Sequence, residues 1–393
     1  MKKLLIVNNN MHIGGVQKAL INLLSCIHDR YEVTLLLFHA AGELMKEIPS
    51  DVKVITPNSA FRYLGMTAHD TAGHPWRTLC RGFFAAVTKL CGRRAAVKLM
   101  GLGQRRLRGY DAAVSYLHNG GDKIFYGGCN DFVLRHVTAT ARVTVLHCDY
   151  ARCGADTPTN EAQYARFDRI AACSDGCARS FVSACPSLAH KVMTVRNCHN
   201  FEAIRAAAAQ APETLAPDAL NIVTVARLGR EKGVPRAVEA MASLGDSHGQ
   251  WRYYVIGDGI ERGLLTETIA AHGLENDVTL CGELANPYGY MQAADLLLLP
   301  SLSEAAPLVI DEAACLGTPI LTTETSSAKD MVADTGFGWV CDNTVDGIAE
   351  GLHKLLQTPS LLRDKAQRLS ETTFDNAEAL RQFATLIDGE GGR

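Results

Sequence analysis

Two glutamates, Glu304 and Glu312, stand with seven residues between them in SEAAPLVIDEAACLGTPIL (303–321), directly after the apolar run LLLLPS (296–301). Pro307 falls where a helix should begin and Gly317-Thr318-Pro319 where it should end, the usual asymmetry of helix punctuation. The apolar run predicts a buried strand. Glu304 is then expected in a strand-to-helix loop at the carboxyl edge of a parallel sheet, where open α/β folds bind ligands. Glu312 is expected inside the helix, one turn past Leu308 and on the same face, so that both carboxylates can reach one ligand. The N–H groups of the first turn, around Leu308 and Val309, form a positive pole suited to phosphate. Two carboxylates for hydroxyls beside a phosphate-binding helix end describe a site for a sugar-nucleotide. Taken alone, the same spacing also fits a surface loop glutamate and a second one on a solvated helix face.

A basic pair adds to this constellation. In VARLGREKG (225–233), Arg227 ends a predicted strand, Lys232 follows five residues later and Gly233 leads into a helix. An Arg fork and a Lys point charge at a strand end suit a diphosphate; the plainer alternative is a solvated basic loop. Gly14-Gly15 lies between the first strand and first helix, where glycines let backbone amides approach a phosphate, or simply make a tight turn. Gly257 belongs to VIGDGIERG (255–263), which has G-x-G but Arg262 in place of the third glycine. That partial fingerprint does not support a dinucleotide site. His147 ends the run RVTVLHC (142–148), placed to hydrogen-bond a sugar hydroxyl or to serve as a satisfied structural histidine.

The elements that must position these residues alternate in type. KKLLIV (2–7), EVTLLLF (32–38) and DVKVITP (51–57) read as strands, with a helix from Val16 to about Cys26 between the first two. Further strands are expected at 111–117, 142–148, 169–174 and 191–197, implying a parallel sheet with right-handed crossovers. A second array follows at 221–228, 251–259, 277–282, 296–301, 318–324 and 337–342. The fold class is α/β: two Rossmann-like, doubly wound parallel-sheet domains facing a central cleft, with the cleft as the expected ligand site. The expected boundaries are 1–202 for the first domain, 203–220 for an Ala- and Pro-rich linker and 221–372 for the second domain. A C-terminal helix in 373–393 is expected to pack back on the first domain.

With 393 residues and 47% hydrophobic content, the chain has ample material for two cores. A net charge of −3 argues against bulk electrostatic binding of nucleic acid. MKKLLIVNNN has too short an apolar run for a signal-peptide core, and no run approaches a membrane span. Thirteen cysteines without repeated spacing read as reduced thiols, and the loose spacing of Cys148, Cys153, Cys173 and Cys177 beside His147 favours buried thiols over a zinc site. The expectation is a cytoplasmic protein with neither metal nor cofactor.

Taken together, GGVQKALINLL (14–24), VLHCD (145–149), ACSDGCARSF (172–181), VRNCHN (195–200), VARLGREKG, VIGDG, AADLLLLPSLSEAAPLVIDEAACLGTPIL (293–321) and TFDNAEALRQFATL (373–386) resemble family 4 of the retaining glycosyltransferases, which have the GT-B fold. The resemblance runs through almost the whole chain in the family's order. It implies that Arg227 and Lys232 bind the donor diphosphate, that Glu312 binds the ribose and that Glu304 touches the donor sugar near its 3- and 4-hydroxyls. It also implies that His147 sits beside the transferred sugar, with Gly14, Gly15, Gly257, Leu308 and Val309 around the donor. Gln17 stands where a glutamate is frequent, and Ala305-Ala306 replaces a glycine and a bulky residue. The expected partners are a nucleotide sugar and a glycan or lipid-linked acceptor. No Asp-x-Asp motif of metal-dependent transferases is present.

Three other functions fit parts of the pattern. A sugar-nucleotide epimerase of the same architecture would need no acceptor. A glycosidase using Glu304 and Glu312 as acid and base would not need the basic pair. A non-catalytic partner subunit would have no use for all four charged residues.

Residues 74–110 carry nine Lys or Arg and no Asp or Glu, with Phe83, Phe84, Val87, Leu90, Val97 and Met100 as a rough apolar face. Such a segment suits an anionic membrane surface on the inner face of the plasma membrane, or a solvated helix pair lining the acceptor site.

Overall fold

A computed structural model of the chain describes residues 1–210, 215–244 and 250–389. It divides into two compact units, Met1–Cys198 together with the segment from Asn376, and His199–Asp375. The first unit holds β1 (Lys2–Asn8), β2 (Tyr31–Leu37), β3 (Lys53–Ile55), β4 (Leu107–Ser115), β5 (Val137–Leu146), β6 (Arg169–Ala172) and β7 (Val192–Thr194). They form one sheet in the order β3-β2-β1-β4-β5-β6-β7, parallel throughout. Leu4 to Val7 are all buried because helices cover both faces, which is why the strand reads as an unbroken apolar run rather than an alternation. Leu5 and Val7 enter one core with Phe38, Phe132 and Phe181, while Leu4 and Ile6 enter the other with Leu20, Leu24 and Phe383.

Phe383 comes from the C-terminal helix Ala377–Asp388, whose ring edge meets Tyr31 at 6.2 Å between centroids. Arg169 donates from Nε to the Leu386 carbonyl (2.6 Å) and from Nη2 to that of Ile387 (2.9 Å), satisfying the helix end and complementing its dipole.

The second unit holds β8 (Leu220–Val225), β9 (Trp251–Ile256), β10 (Val278–Gly282), β11 (Leu296–Leu299), β12 (Ile320–Thr323) and β13 (Gly338–Cys341), again all parallel, in the order β10-β9-β8-β11-β12-β13. Each segment read as a strand from the sequence contains one. LLLL alternates between cores: Leu296 and Leu298 pack with Trp251 and Tyr253, Leu297 and Leu299 with Ile310 and Ala313.

Two segments differ from expectation. Residues 203–220, read as a linker, include most of helix Phe201–Gln210, which packs within the second unit. Arg205 donates to the Cys315 carbonyl (3.3 Å) and Asn286 to that of Ala207 (2.8 Å). The alanines that suggested a linker are the strongest helix formers; residues 211–214 lie outside the described residues. The basic segment folds as helices Pro75–Cys91 and Arg93–Met100 before β4. Phe84, Val97 and Met100 point into the core rather than sharing one outer face with Phe83 and Leu90. Arg93 is also buried, against Asp131 (3.7 Å) and the Gly120 carbonyl (3.0 Å).

Candidate functional site

In the second sheet the direction of strand addition reverses between β8 and β11, the kind of switch point at which open α/β sheets bind ligands. The β8 loop carries Arg227 and Lys232, and the β11 loop carries Ser301 and Glu304. This is how residues 72 positions apart meet: Lys232 Nζ lies 2.6 Å from Glu304 Oε1. Ser301 Oγ donates to the same carboxylate oxygen (2.7 Å), and Ser326 Oγ donates to the Glu304 carbonyl (2.8 Å). Neither serine was singled out from the sequence, because single serines in loops carry no signal.

The two loops are locked together by backbone contact. Gly233 has φ 61°, and a Cβ there would lie 2.5 Å from the Pro300 carbonyl oxygen, so only glycine fits. Arg236 then reaches Asn343 Oδ1 (2.9 Å), and Asn343 Nδ2 donates to the carbonyls of Ser301 (3.3 Å), Leu302 (3.3 Å) and Glu324 (2.9 Å). Asn343 thus ties the loops after β11 and β12 to one side chain.

Arg227 does not join the Lys232–Glu304 pair. Its side chain is 76% exposed and reaches Glu231 at 2.7 Å. Burial opposes ionisation of Glu231, but backbone N–H donation and Arg227 outweigh it and hold the carboxyl below its ordinary range. Gly257 lies beneath this loop, where a Cβ would fall 1.9 Å from the Ala226 carbonyl oxygen. Its N–H already donates to Gly282 (2.7 Å), so Gly257 seats the strand end that carries Arg227 and offers no free donor.

Helix Leu308–Cys315 begins as the proline and glycine signals predicted, with Pro307 at its N-cap and no side chain capping it. The first-turn N–H groups of Leu308 and Val309 therefore have no internal helix partner. Glu312 is buried one turn on, with the Tyr288 hydroxyl donating to its Oε1 at 3.4 Å. Asp311 pairs with His199 Nε2 (3.2 Å), a contact the sequence did not reveal.

The remaining candidates lie in the first unit. Gly14 is extended (φ −179°) and caps helix Gly15–Ile27, and a Cβ on Gly15 would meet nothing within 4 Å. Backbone strain therefore does not require glycine at either position; a Cβ on Gly14 would meet Gln17 Oε1 at 2.7 Å, and open space lies at Gly15 alone of the two. The loop before it is held by Asn10, which donates to the Gly65 carbonyl (2.7 Å), and by His12, set between Asp70 (3.0 Å) and Glu43 (3.4 Å).

His147 follows β5 directly, its ring 4.7 Å from that of Tyr116. Its Nε2 is sealed from solvent and has no hydrogen-bond partner among the described residues. Burial, with the nearby His118 adding to it, pushes the His147 pKa down to about 3, and burial takes that of His118 to about 4. Both rings are neutral at physiological pH, so His147 can offer a hydrogen bond but no charge.

These depressed values predict acid sensitivity. Below pH 6.5 the unfolded chain binds more protons than the folded one, so stability is full above that pH and falls toward pH 3–4. Each histidine should contribute a slope of about 1 kcal/mol per pH unit at its steepest. Melting temperature measured from pH 7 to 4.5 should drop less steeply in His118→Gln and His147→Gln than in the parent; equal slopes would contradict the assignment.

Residues 208–375 match the model of the family described as glycosyl transferases group 1. The chain is 31% identical over 186 residues to the amylovoran biosynthesis glycosyltransferase AmsK of Erwinia amylovora, covering 43% of this chain and 44% of that one. It is 30% identical over 144 residues to the 2-deoxystreptamine N-acetyl-D-glucosaminyltransferase of Niallia circulans, covering 36% and 37%. These matches span less than half the length of either relative. Among solved structures, that of Anabaena Alr3699/HepE in complex with UDP and glucose superposes with a TM-score of 0.70 at 20% identity, covering 99% of this chain and all of that one. WaaG, a glycosyltransferase involved in lipopolysaccharide biosynthesis, gives 0.59 at 18% identity over 99% and 100%.

The fold is that of the GT-B glycosyltransferases, two Rossmann-like parallel-sheet units in one chain. The stretch that matches the glycosyl transferases group 1 model lies in its second unit.

Proposed function

We propose that this protein is a retaining glycosyltransferase that moves a sugar from a nucleoside-diphosphate donor to a hydroxyl of a glycan or lipid-linked acceptor. The observation that carries this reading is the Lys232–Glu304 pair, set at the switch point of the second sheet beside an uncapped helix start. A donor brings both halves of what that pair needs. Its diphosphate draws Lys232 away, and its sugar hydroxyls replace the ammonium at Glu304. Arg227 exchanges Glu231 for the diphosphate, and the N–H groups of Leu308 and Val309 meet a phosphate oxygen. Glu312 takes the ribose hydroxyls.

As the sugar–phosphate bond lengthens, its electron pair moves to the leaving diphosphate, whose charge Lys232, Arg227 and the helix start stabilise. The acceptor oxygen attacks the oxocarbenium-like carbon from the face the diphosphate leaves, and its proton passes to the departing phosphate oxygen. Anomeric configuration is thereby retained. His147, neutral at physiological pH, is assigned a place beside the transferred sugar. The Erwinia relative is named for amylovoran biosynthesis, which supports a place for this protein in polysaccharide synthesis. Among the described residues, no helix is long and apolar enough to cross a membrane.

A panel of nucleotide sugars tested by thermal shift should include one that raises the melting temperature through mass action. That donor, incubated with acceptor glycans, should yield a new glycoside of unchanged anomeric configuration. An epimerised donor without any acceptor product, or no stabilisation by any member, would overturn the reading.

A further inference from the structure

Helix Pro75–Cys91 has two faces of opposite purpose. Phe84 stacks on Tyr63 at 5.7 Å between ring centroids, Arg81 donates to the Met66 carbonyl (2.9 Å) and Thr88 is buried, so this side fastens the helix to its unit. Trp76, Leu79, Phe83 and Leu90 are 53–79% exposed. With the exposed Ala86 they recur at intervals of three and four residues, which places all five within one arc of the helix, away from the fastened side. An outward row of tryptophan, phenylalanine and two leucines is a contiguous apolar surface of the kind that marks an interaction site.

We propose that this face docks on an anionic lipid bilayer, the apolar row entering the headgroup boundary and the surrounding cations meeting lipid phosphates. The inference deepens the reading of a lipid-linked acceptor and rests on it for its purpose, not for its geometry. Charge selects the occupant. Between His74 and Tyr110 there are nine cations and no anion, and seven of the nine (Arg77, Lys89, Arg94, Lys98, Arg105, Arg106 and Arg108) are exposed. A second copy seated on the same face by a two-fold axis would set these like charges against their own equivalents. A nucleic acid would use the cations but leave the Trp76–Leu90 row in water. A bilayer with acidic headgroups satisfies both, burying the row while attracting each nearby cation. Arg93 takes no part, because it is already buried against Asp131.

The test is sedimentation of the full chain with vesicles of phosphatidylcholine alone or mixed with phosphatidylglycerol, at low and high salt. Binding is expected only to the anionic vesicles, with release by salt as screening shortens the attraction. Each exposed cation removed should lower partitioning roughly fivefold, so Arg77→Gln/Lys89→Gln/Arg94→Gln/Lys98→Gln should lose at least about a hundredfold. Trp76→Ser/Leu79→Ser/Phe83→Ser/Leu90→Ser should lose binding at an unchanged melting temperature, since all four side chains are exposed. Phe83 meets the ring of Phe84 at 5.3 Å, so should the variant melt lower, Trp76→Ser and Leu90→Ser singly carry the same test. Equal binding to both vesicle types, binding by the serine variant equal to the parent's, or a dimer that the serine variant abolishes would each overturn docking. Vesicle binding without affinity for any nucleotide sugar would instead sink the transferase reading and leave docking intact.

Discussion

Lys232→Ala should lower turnover by roughly a hundredfold or more, the usual loss when one preorganised charge is taken from a developing anion. The lysine is held where it acts before any donor arrives. Gly233 can adopt its left-handed turn only because it lacks a Cβ, and that turn presses the β8 loop against Pro300. Glu304 then receives the ammonium at 2.6 Å. The variant should remain folded, because Ser301 still donates to Glu304 and the glutamate is only partly buried. Arg227→Ala should cost less, about tenfold, since its guanidinium is solvated and screened and must first leave Glu231. Steady-state kinetics at saturating donor, with melting curves as the control for folding, measure both. Near-parental turnover in Lys232→Ala would remove the diphosphate role from this loop.

Glu304→Gln and Glu312→Gln should separate by ligand. Without sugar, a nucleoside diphosphate that captures Lys232 strands the Glu304 carboxylate, half-buried and held only by Ser301, and that penalty weakens binding. Glutamine carries no charge to strand. Glu304→Gln should therefore bind the free diphosphate as tightly as the parent or tighter, yet lose at least about tenfold in affinity for the intact donor through its charge-assisted bond to the sugar. Glu312→Gln should weaken both ligands alike, because the charge-assisted bond proposed for it goes to the ribose that they share. Calorimetric titration of each variant with both ligands decides the matter, and the reverse pattern would exchange the roles of the two carboxylates.

Much of this architecture is legible in the chain because parallel strands covered on both faces must be apolar throughout. LLLL before Pro300 and LLIV near the N-terminus admit little else, and Pro307 and Gly317 punctuate the helix between β11 and β12 as their backbone restrictions dictate. The placement of the candidate residues was legible to the same depth: charged residues at strand ends stay near the carboxyl edge wherever the strands go. By itself, then, the sequence determined the alternation of elements, the two parallel sheets and the identity of Glu304, Glu312, Arg227 and Lys232 as the groups to watch.

Partnership was decided only in three dimensions. That Lys232 meets Glu304 follows from strand order at the switch point, which no local pattern encodes, while Arg227 turns to Glu231 four residues on in its own loop. Ser301, Ser326 and Asn343 became visible only through the carboxylate and carbonyls they hold. The alanines of residues 203–209 read as a linker because weak local propensity does not reveal that a neighbouring helix and loop will receive them. Adjacent residues on the basic segment parted in the same way, Phe84 inward and Phe83 outward, Arg93 buried and Arg94 exposed. A helix turns about 100° per residue, and only the packed unit shows which side of it the core has taken.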